Sequence, residues 1–148
     1  MMKYILMITG NKILISALLG WFIAQAIKVI LGLIKDKRFD WHRLTGSGGM
    51  PSSHSAFVVA LTTQTAKIEG LDSSFFAIAA ALSIIVMYDA AGVRRAAGEQ
   101  AKILNYMMDH WHEYTPVMRQ KELKELLGHT PTEVIAGAVL GLIIGILI

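Results

Sequence analysis

Long apolar segments alternate with polar connections along the 148-residue chain. Ile13 to Ile34 is apolar over 22 residues apart from Gln25 and Lys28. At a rise of about 1.5 Å per residue, this segment crosses a hydrocarbon core of roughly 30 Å. Phe75 to Tyr88 and Val134 to Ile148 are further apolar segments of the same kind. The pattern therefore predicts membrane-spanning helices.

A further helix is predicted from about Pro51 to Glu69, because two glycines free the backbone to turn before it and proline suits a first helical position. This helix is only half apolar, and its far end holds Thr62, Thr63, Gln64, Thr65 and Lys67. We expect it to cross the membrane sheltered by its neighbours. The chain, residues 1–148, then forms one all-α integral membrane domain of about four transmembrane helices.

An amphipathic segment separates the third span from the fourth. The third helix is expected to continue through Asp89 to Arg95, and Glu99 to Tyr114 then alternates polar and apolar residues at helical spacing. Pro116 interrupts this pattern, and Arg119 to Leu127 forms a second amphipathic piece. We expect this segment to lie at the membrane surface.

The helix starts carry recognisable caps. Asp72 or Ser73 is placed to cap the third helix. Thr130, Pro131 and Glu133 form a predicted capping box, with Thr130 as the cap and Glu133 reaching back to it.

Glycines recur every four residues along the last span, at Gly137, Gly141 and Gly145. This spacing lets another helix pack closely. It also permits a homodimer through the glycine face.

The distribution of basic residues predicts the orientation. With four spans, the two long polar connections share one side, which holds ten lysines and arginines against three on the opposite side. The positive-inside rule then places those connections in the cytoplasm, as expected of a multi-pass protein of the inner (plasma) membrane.

Composition excludes several classes of protein. The chain is 54% apolar and only 17% charged, with a net charge of +3 and no cysteine. Disulfide frameworks, thiol nucleophiles and zinc–thiolate sites are therefore absent, and nothing resembles a nucleic-acid-binding module. His110 and His112 are poor metal ligands because residues two apart on a helix face different ways. We expect no metal and no cofactor.

Polar residues collect at the cytoplasmic ends of the predicted helices, where four separate parts of the chain deliver them to one membrane face. The set comprises Lys28 and Lys35 from the first helix, Ser52, Ser53 and His54 from the second, Asp89, Arg94 and Arg95 from the third, and His129 and Glu133 from the fourth. Phosphoryl transfer uses such a set: cations neutralise phosphate oxygens, one imidazole attacks phosphorus, a carboxylate orients that ring and a second imidazole protonates the leaving group.

Each of these residues also has a simpler explanation. The lysines and arginines can flank spans and contact lipid headgroups, and Glu133 can serve only the capping box. His129 can be a polar loop residue, and Asp89 can pair with Arg94 or Arg95. These explanations account poorly for two histidines at two helix starts together with several bases at the same depth.

Three spaced motifs support the phosphoryl-transfer interpretation. Lys28 and Lys35 are seven residues apart, Pro51-Ser52-Ser53-His54 opens the second helix, and Arg94-Arg95 precedes a distant His129-x3-Glu133. They resemble the motifs Lys-x6-Arg-Pro, Pro-Ser-Gly-His and Ser-Arg-x5-His-x3-Asp. The chain differs from these by Lys35 for Arg, Asp36 for Pro, Ser53 for Gly and Glu133 for Asp, and its third motif is split. These are the motifs of the type-2 phosphatidic acid phosphatase and vanadium haloperoxidase superfamily. The stretch 88–101 resembles the superfamily's small divergent bacterial membrane branch.

The resemblance implies a role for each candidate residue. His129 would be the nucleophile that forms a phosphohistidine, Glu133 would orient it, and His54 would be the general acid. The phosphate would be held by Lys28, Lys35, Ser52, Ser53, Arg94 and Arg95, with Asp89 in a supporting position.

We therefore expect a lipid-phosphate phosphatase that acts on a phosphomonoester or diphosphate at the cytoplasmic face. Phosphatidylglycerophosphate, phosphatidate and polyprenyl (di)phosphate fit this description. The alternative is a non-catalytic lipid-phosphate-binding or scaffold protein. A haloperoxidase ranks lower, because no oxidative role suits a site at the membrane face.

Overall fold

A computed structural model describes residues 2, 9–36, 49–110 and 128–148, and it gives the backbone alone for residues 35, 36, 94, 109 and 110. All the secondary-structure elements of this part of the chain are helices. They are α1 (Lys12–Asp36), α2 (Ser53–Glu69), α3 (Ser74–Ala91), α4 (Val93–His110) and α5 (Pro131–Leu147). The prediction of an all-α fold is thus confirmed for the described residues.

The caps of three helices explain where each begins. The Asn11 side chain accepts a hydrogen bond from the backbone N–H of Leu14 at 3.1 Å, which starts α1 one residue before the predicted apolar run. Ser73 caps α3, as the sequence predicted. Thr130 and Glu133 form the predicted capping box at the start of α5, with Pro131 in the first turn.

The start of α2 corrects one prediction. The helix begins at Ser53 and not at Pro51, and Ser52 is its cap, because its hydroxyl oxygen accepts a hydrogen bond from the N–H of Ser55 at 3.3 Å. Pro51 therefore precedes the cap instead of occupying the first helical position. The helix ends at Gly70, whose φ of 90° is a conformation that glycine adopts without strain.

The end of α3 corrects a second prediction. The helix stops at Ala91, and α4 begins at Val93 after a single turn residue, Gly92. Hydrogen bonds continue across the turn, from Gly92 N–H to the Tyr88 carbonyl at 2.8 Å and from Ala96 N–H to the Gly92 carbonyl at 2.9 Å. The amphipathic helix thus starts at Val93, six residues before the predicted start. The predicted piece from Arg119 to Leu127 lies outside the described residues.

Helix α2 lies at the centre of the packing and contacts α1, α3 and α5. Its orientation relative to α1 is antiparallel, since the Lys28 amino group donates to the Ser53 hydroxyl at 3.4 Å and the Ser16 hydroxyl donates to the Ala60 carbonyl at 3.4 Å. A shared hydrogen bond of 2.7 Å between the hydroxyls of Thr62 and Ser83 joins it to α3. The half-polar helix is therefore sheltered by its neighbours, as expected.

Helices α2 and α5 run parallel. At one end, the Ser52 N–H donates to the Glu133 carbonyl at 2.9 Å. At the other end, the Lys67 amino group donates to the carbonyls of Gly145 and Ile146 at 3.3 and 2.8 Å, near the end of α5. The ends of α1 and α3 and the starts of α2 and α5 therefore lie at the same end of the bundle.

The glycine face of α5 packs against α2 of the same chain. Side chains added at Gly137, Gly141 and Gly145 would meet α2 and its cap at residues 52–55, 56–60 and 60–63, respectively. Close packing of another helix is thus confirmed, but that helix belongs to this chain. The homodimer expected through this face stays a prediction, and α2 of the same chain packs against its three glycines.

Two helical stretches, Lys12–Ile34 and Ser74–Met108, are long and apolar enough to cross a membrane, among the residues that the structure describes. Helices α2 and α5 have 17 residues each, or about 25 Å at the usual rise. Large apolar side chains such as Phe22, Phe75 and Ile135 are exposed on the outer faces of α1, α3 and α5. An arrangement of four spans remains a prediction.

Candidate functional site

His129 and Glu133 form a hydrogen-bonded pair at the centre of the candidate site. The His129 ring is 2% exposed, and its Nδ1 lies 3.1 Å from the Glu133 Oε2. The same carboxylate oxygen accepts the backbone N–H of Thr130 at 3.0 Å. The capping box that starts α5 therefore also holds the carboxylate against the histidine.

This geometry selects a tautomer of His129. An ionised carboxylate only accepts hydrogen bonds, so the bond from Nδ1 requires the proton on Nδ1. In a neutral ring the Nε2 atom then carries the basic lone pair. An imidazole held in this way is suited to nucleophilic attack.

The backbone of His129 is fixed by the end of α3. Its N–H donates to the Ala90 carbonyl at 3.0 Å, and Ala90 is itself buried. Since Glu133 and α5 hold the ring while α3 holds the main chain, the position of His129 depends on both helices.

Lys28 brings a cation to this end of the bundle. It lies within α1, is only 6% exposed, and its amino group donates one hydrogen bond to the Ser53 hydroxyl at 3.4 Å. The Lys28 amino group also interacts electrostatically with the Glu133 carboxylate. An ammonium group has three donors, and the hydrogen bond to Ser53 uses one of them. A charged residue held inside a membrane segment is a mark of function.

His54 approaches the same place from the first turn of α2. The centroids of the His54 and His129 rings are 6.3 Å apart, with an angle of 63° between the ring planes. His54 is exposed, whereas His129 is buried. The structure thus brings together two histidines that are 75 residues apart in the sequence.

The two serines before His54 have different surroundings. Ser53 is 3% exposed and contacts Lys28, as described above. Ser52 is fully buried, and its hydroxyl oxygen accepts hydrogen bonds from the Ser55 N–H and the Ser55 hydroxyl, the latter at 3.1 Å. The Ser52 side chain therefore caps α2, and its expected contact with phosphate stays a prediction.

The other predicted bases are Lys35, Arg94 and Arg95. Arg95 is exposed. The side chains of Lys35 and Arg94 lie outside the described residues. Asp89 is half-buried and directly precedes Ala90, whose carbonyl holds His129.

Sequence analysis missed two contributions to this arrangement. The first is the backbone carbonyl of Ala90, which the sequence does not indicate because every residue type has a backbone carbonyl. Gly137 was recognised as a packing residue, but its partner at the start of α2 was not. The signal was present, because Ser52, Ala56 and Ala60 form a row of small residues in α2 with the same spacing as the glycines of α5.

Comparisons with known proteins cover nearly the whole chain. The profile of a family described as the Divergent PAP2 family matches residues 9–144. A protein of Bacillus subtilis (strain 168) named "Uncharacterized membrane protein YuiD" is 44% identical over 144 residues, which cover 90% of this chain and 91% of that protein. No solved structure matches the chain. The matched region contains every candidate site residue, from Lys28 to Glu133.

Proposed function

Because the chain belongs to the Divergent PAP2 family, whose profile it matches over residues 9–144, we propose that it is a membrane-bound phosphatase of lipid phosphates. Membership confirms the resemblance that the motifs predicted, and the relative from Bacillus subtilis is a membrane protein. The observation that carries the proposal is the buried His129, whose Nδ1 lies 3.1 Å from the Glu133 carboxylate while the His54 ring faces it.

In the proposed reaction, the Nε2 of His129 attacks the phosphorus of a lipid phosphate. The bond between phosphorus and the leaving oxygen breaks as His54 donates a proton to that oxygen, and a phosphohistidine forms. A water molecule then attacks the phosphohistidine and gives a proton back to His54. The products are the dephosphorylated lipid and inorganic phosphate.

Charge stabilisation comes from groups around the two histidines. Glu133 balances the positive charge that the His129 ring acquires when it is phosphorylated, and Lys28 neutralises phosphate oxygens. Ser53 holds the Lys28 amino group at 3.4 Å and supports its position. We further propose that Lys35, Arg94 and Arg95, with Asp89 in support, complete the phosphate site when substrate is bound.

The substrate is proposed to enter from the inner leaflet, with the site at the cytoplasmic face. This orientation rests on the excess of lysine and arginine in the two long polar connections, which are predicted to lie at the same end of the helix bundle as the site. Phosphatidylglycerophosphate, phosphatidate and polyprenyl (di)phosphate all present a phosphate at that depth.

A second candidate function is lipid-phosphate binding without turnover. The observation that favours it is the exposed position of Arg95, a residue predicted to hold phosphate. A pocket with too few cations would hold an anion but stabilise the transition state poorly.

One experiment separates the two functions. The purified protein in detergent is given each lipid phosphate, and released phosphate and bound lipid are measured for the wild type and for His129→Ala. Release that disappears in His129→Ala supports the phosphatase, while retention of lipid without release supports the binding protein. If the wild type neither releases phosphate nor retains lipid, both functions are excluded.

A further inference from the structure

The distance between the two histidines depends on how closely α2 approaches α5. His54 belongs to the first turn of α2, while His129 is tied to α5 through Glu133 and to α3 through Ala90. The two rings are therefore held by different helices. Any change in the gap between the starts of α2 and α5 changes their separation.

Gly137 sets that gap. A Cβ atom at this position would overlap the Ser52 carbonyl oxygen and would lie 3.0 Å from the Ser55 Cβ. The obstacle is largely backbone, so no rotation of a side chain relieves it. Since Ser52 directly precedes α2, a methyl group at Gly137 displaces the segment that carries His54.

Building on the proposed function, we infer that Gly137 is a positioning residue for the reaction, because it holds the general acid His54 within reach of the phosphate on His129. Two further contacts converge on the same place. The Ser52 N–H donates to the Glu133 carbonyl at 2.9 Å, and the Lys28 amino group contacts Ser53. The start of α2 is thus docked on the turn of α5 that carries the orienting carboxylate.

The other two glycines of α5 that pack against α2 provide control positions. A Cβ at Gly141 would lie 2.5 Å from the Ala56 carbonyl oxygen, and one at Gly145 would lie 2.5 Å from the Thr63 Cβ. Gly145 is two helical turns from Gly137, at the end of the bundle far from the histidines. Alanine at each position costs packing, but only the substitution at Gly137 displaces His54 directly.

A pair of matched substrates isolates the role of His54. Phenyl phosphate and 4-nitrophenyl phosphate have nearly the same shape, but nitrophenolate leaves without much help from a general acid. We expect Gly137→Ala to raise the ratio of kcat/KM for 4-nitrophenyl phosphate to kcat/KM for phenyl phosphate by roughly 30- to 100-fold, since a shift of about 1 Å costs that much in a positioned step. Gly145→Ala should leave the ratio within about threefold of wild type, and Gly141→Ala should lie between.

A measurement without turnover tests the geometry separately. Spin labels on Met50→Cys and Thr132→Cys, both exposed near the starts of α2 and α5, report the gap through their dipolar broadening. Gly137→Ala should reduce the broadening and Gly145→Ala should not, with folding checked by thermal unfolding in detergent. If Gly137→Ala fails to fold, Gly141→Ala takes its place against Gly145→Ala.

The inference is overturned if the substitutions near to and far from the histidines change the substrate ratio and the label separation alike. It is also overturned if the gap widens while the ratio stays constant, because His54 would then not depend on it. A wild type that turns over neither the aryl phosphates nor any lipid phosphate instead counts against the proposed function. The label measurement still decides whether Gly137 sets the gap.

Discussion

Replacing Glu133 by glutamine isolates the charge of the orienting carboxylate from its geometry. The Oε2 atom accepts hydrogen bonds from both the Thr130 N–H and the His129 Nδ1, at 3.0 and 3.1 Å. An amide oxygen in the same place accepts both. The backbone N–H of Thr130 favours that orientation of the amide, because the opposite one would bring two donors together. Glu133→Gln should therefore keep the tautomer of His129 and remove only the negative charge.

The expected loss follows from the strength of the hydrogen bond to His129. A bond to a charged group contributes about 1.5–3 kcal/mol, and one between neutral groups about 0.5–1.5 kcal/mol. The loss of about 1.5 kcal/mol falls on the transition state, where the ring becomes positive, so kcat should drop roughly tenfold. KM should stay constant or fall, because removing a negative charge near Lys28 does not weaken phosphate binding.

Steady-state kinetics with one lipid phosphate test this reasoning, with Glu133→Ala as the comparison. That variant leaves the Thr130 N–H and the His129 Nδ1 without their acceptor, so both stability and turnover should fall further, with kcat down by at least about a hundredfold. The reasoning is refuted if Glu133→Gln retains full kcat. A loss as severe as that of His129→Ala would refute it too, since the amide would then have imposed the wrong tautomer.

The remaining predictions concern the cation, the cap, the sidedness and the metal. Lys28→Met should lower kcat/KM by roughly a hundredfold without loss of thermal stability. Lys67→Met, at the far end of the bundle, should change thermal stability and leave kcat/KM unchanged. Equal losses of kcat/KM in the two variants would contradict the role of Lys28. Ser52→Ala should lower the free energy of unfolding by about 1 kcal/mol through loss of the α2 cap, as measured by denaturation in detergent, and an unchanged value would contradict the capping role. In intact cells, an impermeant thiol reagent should label Asp72→Cys and leave Thr132→Cys unlabelled, and the reverse pattern would place the site outside. Activity should survive excess chelator and be inhibited by vanadate, and loss on chelation with recovery on adding magnesium would exclude the histidine mechanism.

Local signals in the sequence predicted much of the fold and of the site. The capping box of Thr130 and Glu133 depends on residues three apart, so its geometry follows from the residue types alone. Apolar runs predicted α1, α3 and α5 because lipid-facing helices need apolar side chains along most of their length. The shared end of His54, His129 and Lys28 followed from counting the crossings of the membrane.

Contacts between distant parts of the chain, and the exact ends of two helices, were not predicted. The pairing of α5 with α2 depends on the match between two rows of small residues, and neither row by itself indicates which helix it packs against. Ser52 became a cap because its hydroxyl turned toward Ser55, whereas the proline before it had favoured an earlier start. Gly92 ends α3 although the apolar and polar pattern runs on through it.

The central claim is that His129 carries the phosphoryl group, and trapping the intermediate tests it most directly. The wild type is mixed with a radiolabelled lipid phosphate and quenched within one turnover in alkali, where phosphohistidine survives, and the modified residue is located by mass spectrometry. The account predicts phosphate on His129, none in His129→Ala, and detectable phosphohistidine in His54→Ala when the leaving group is good. Phosphate on His54, or a phosphoenzyme that persists in His129→Ala, would contradict it.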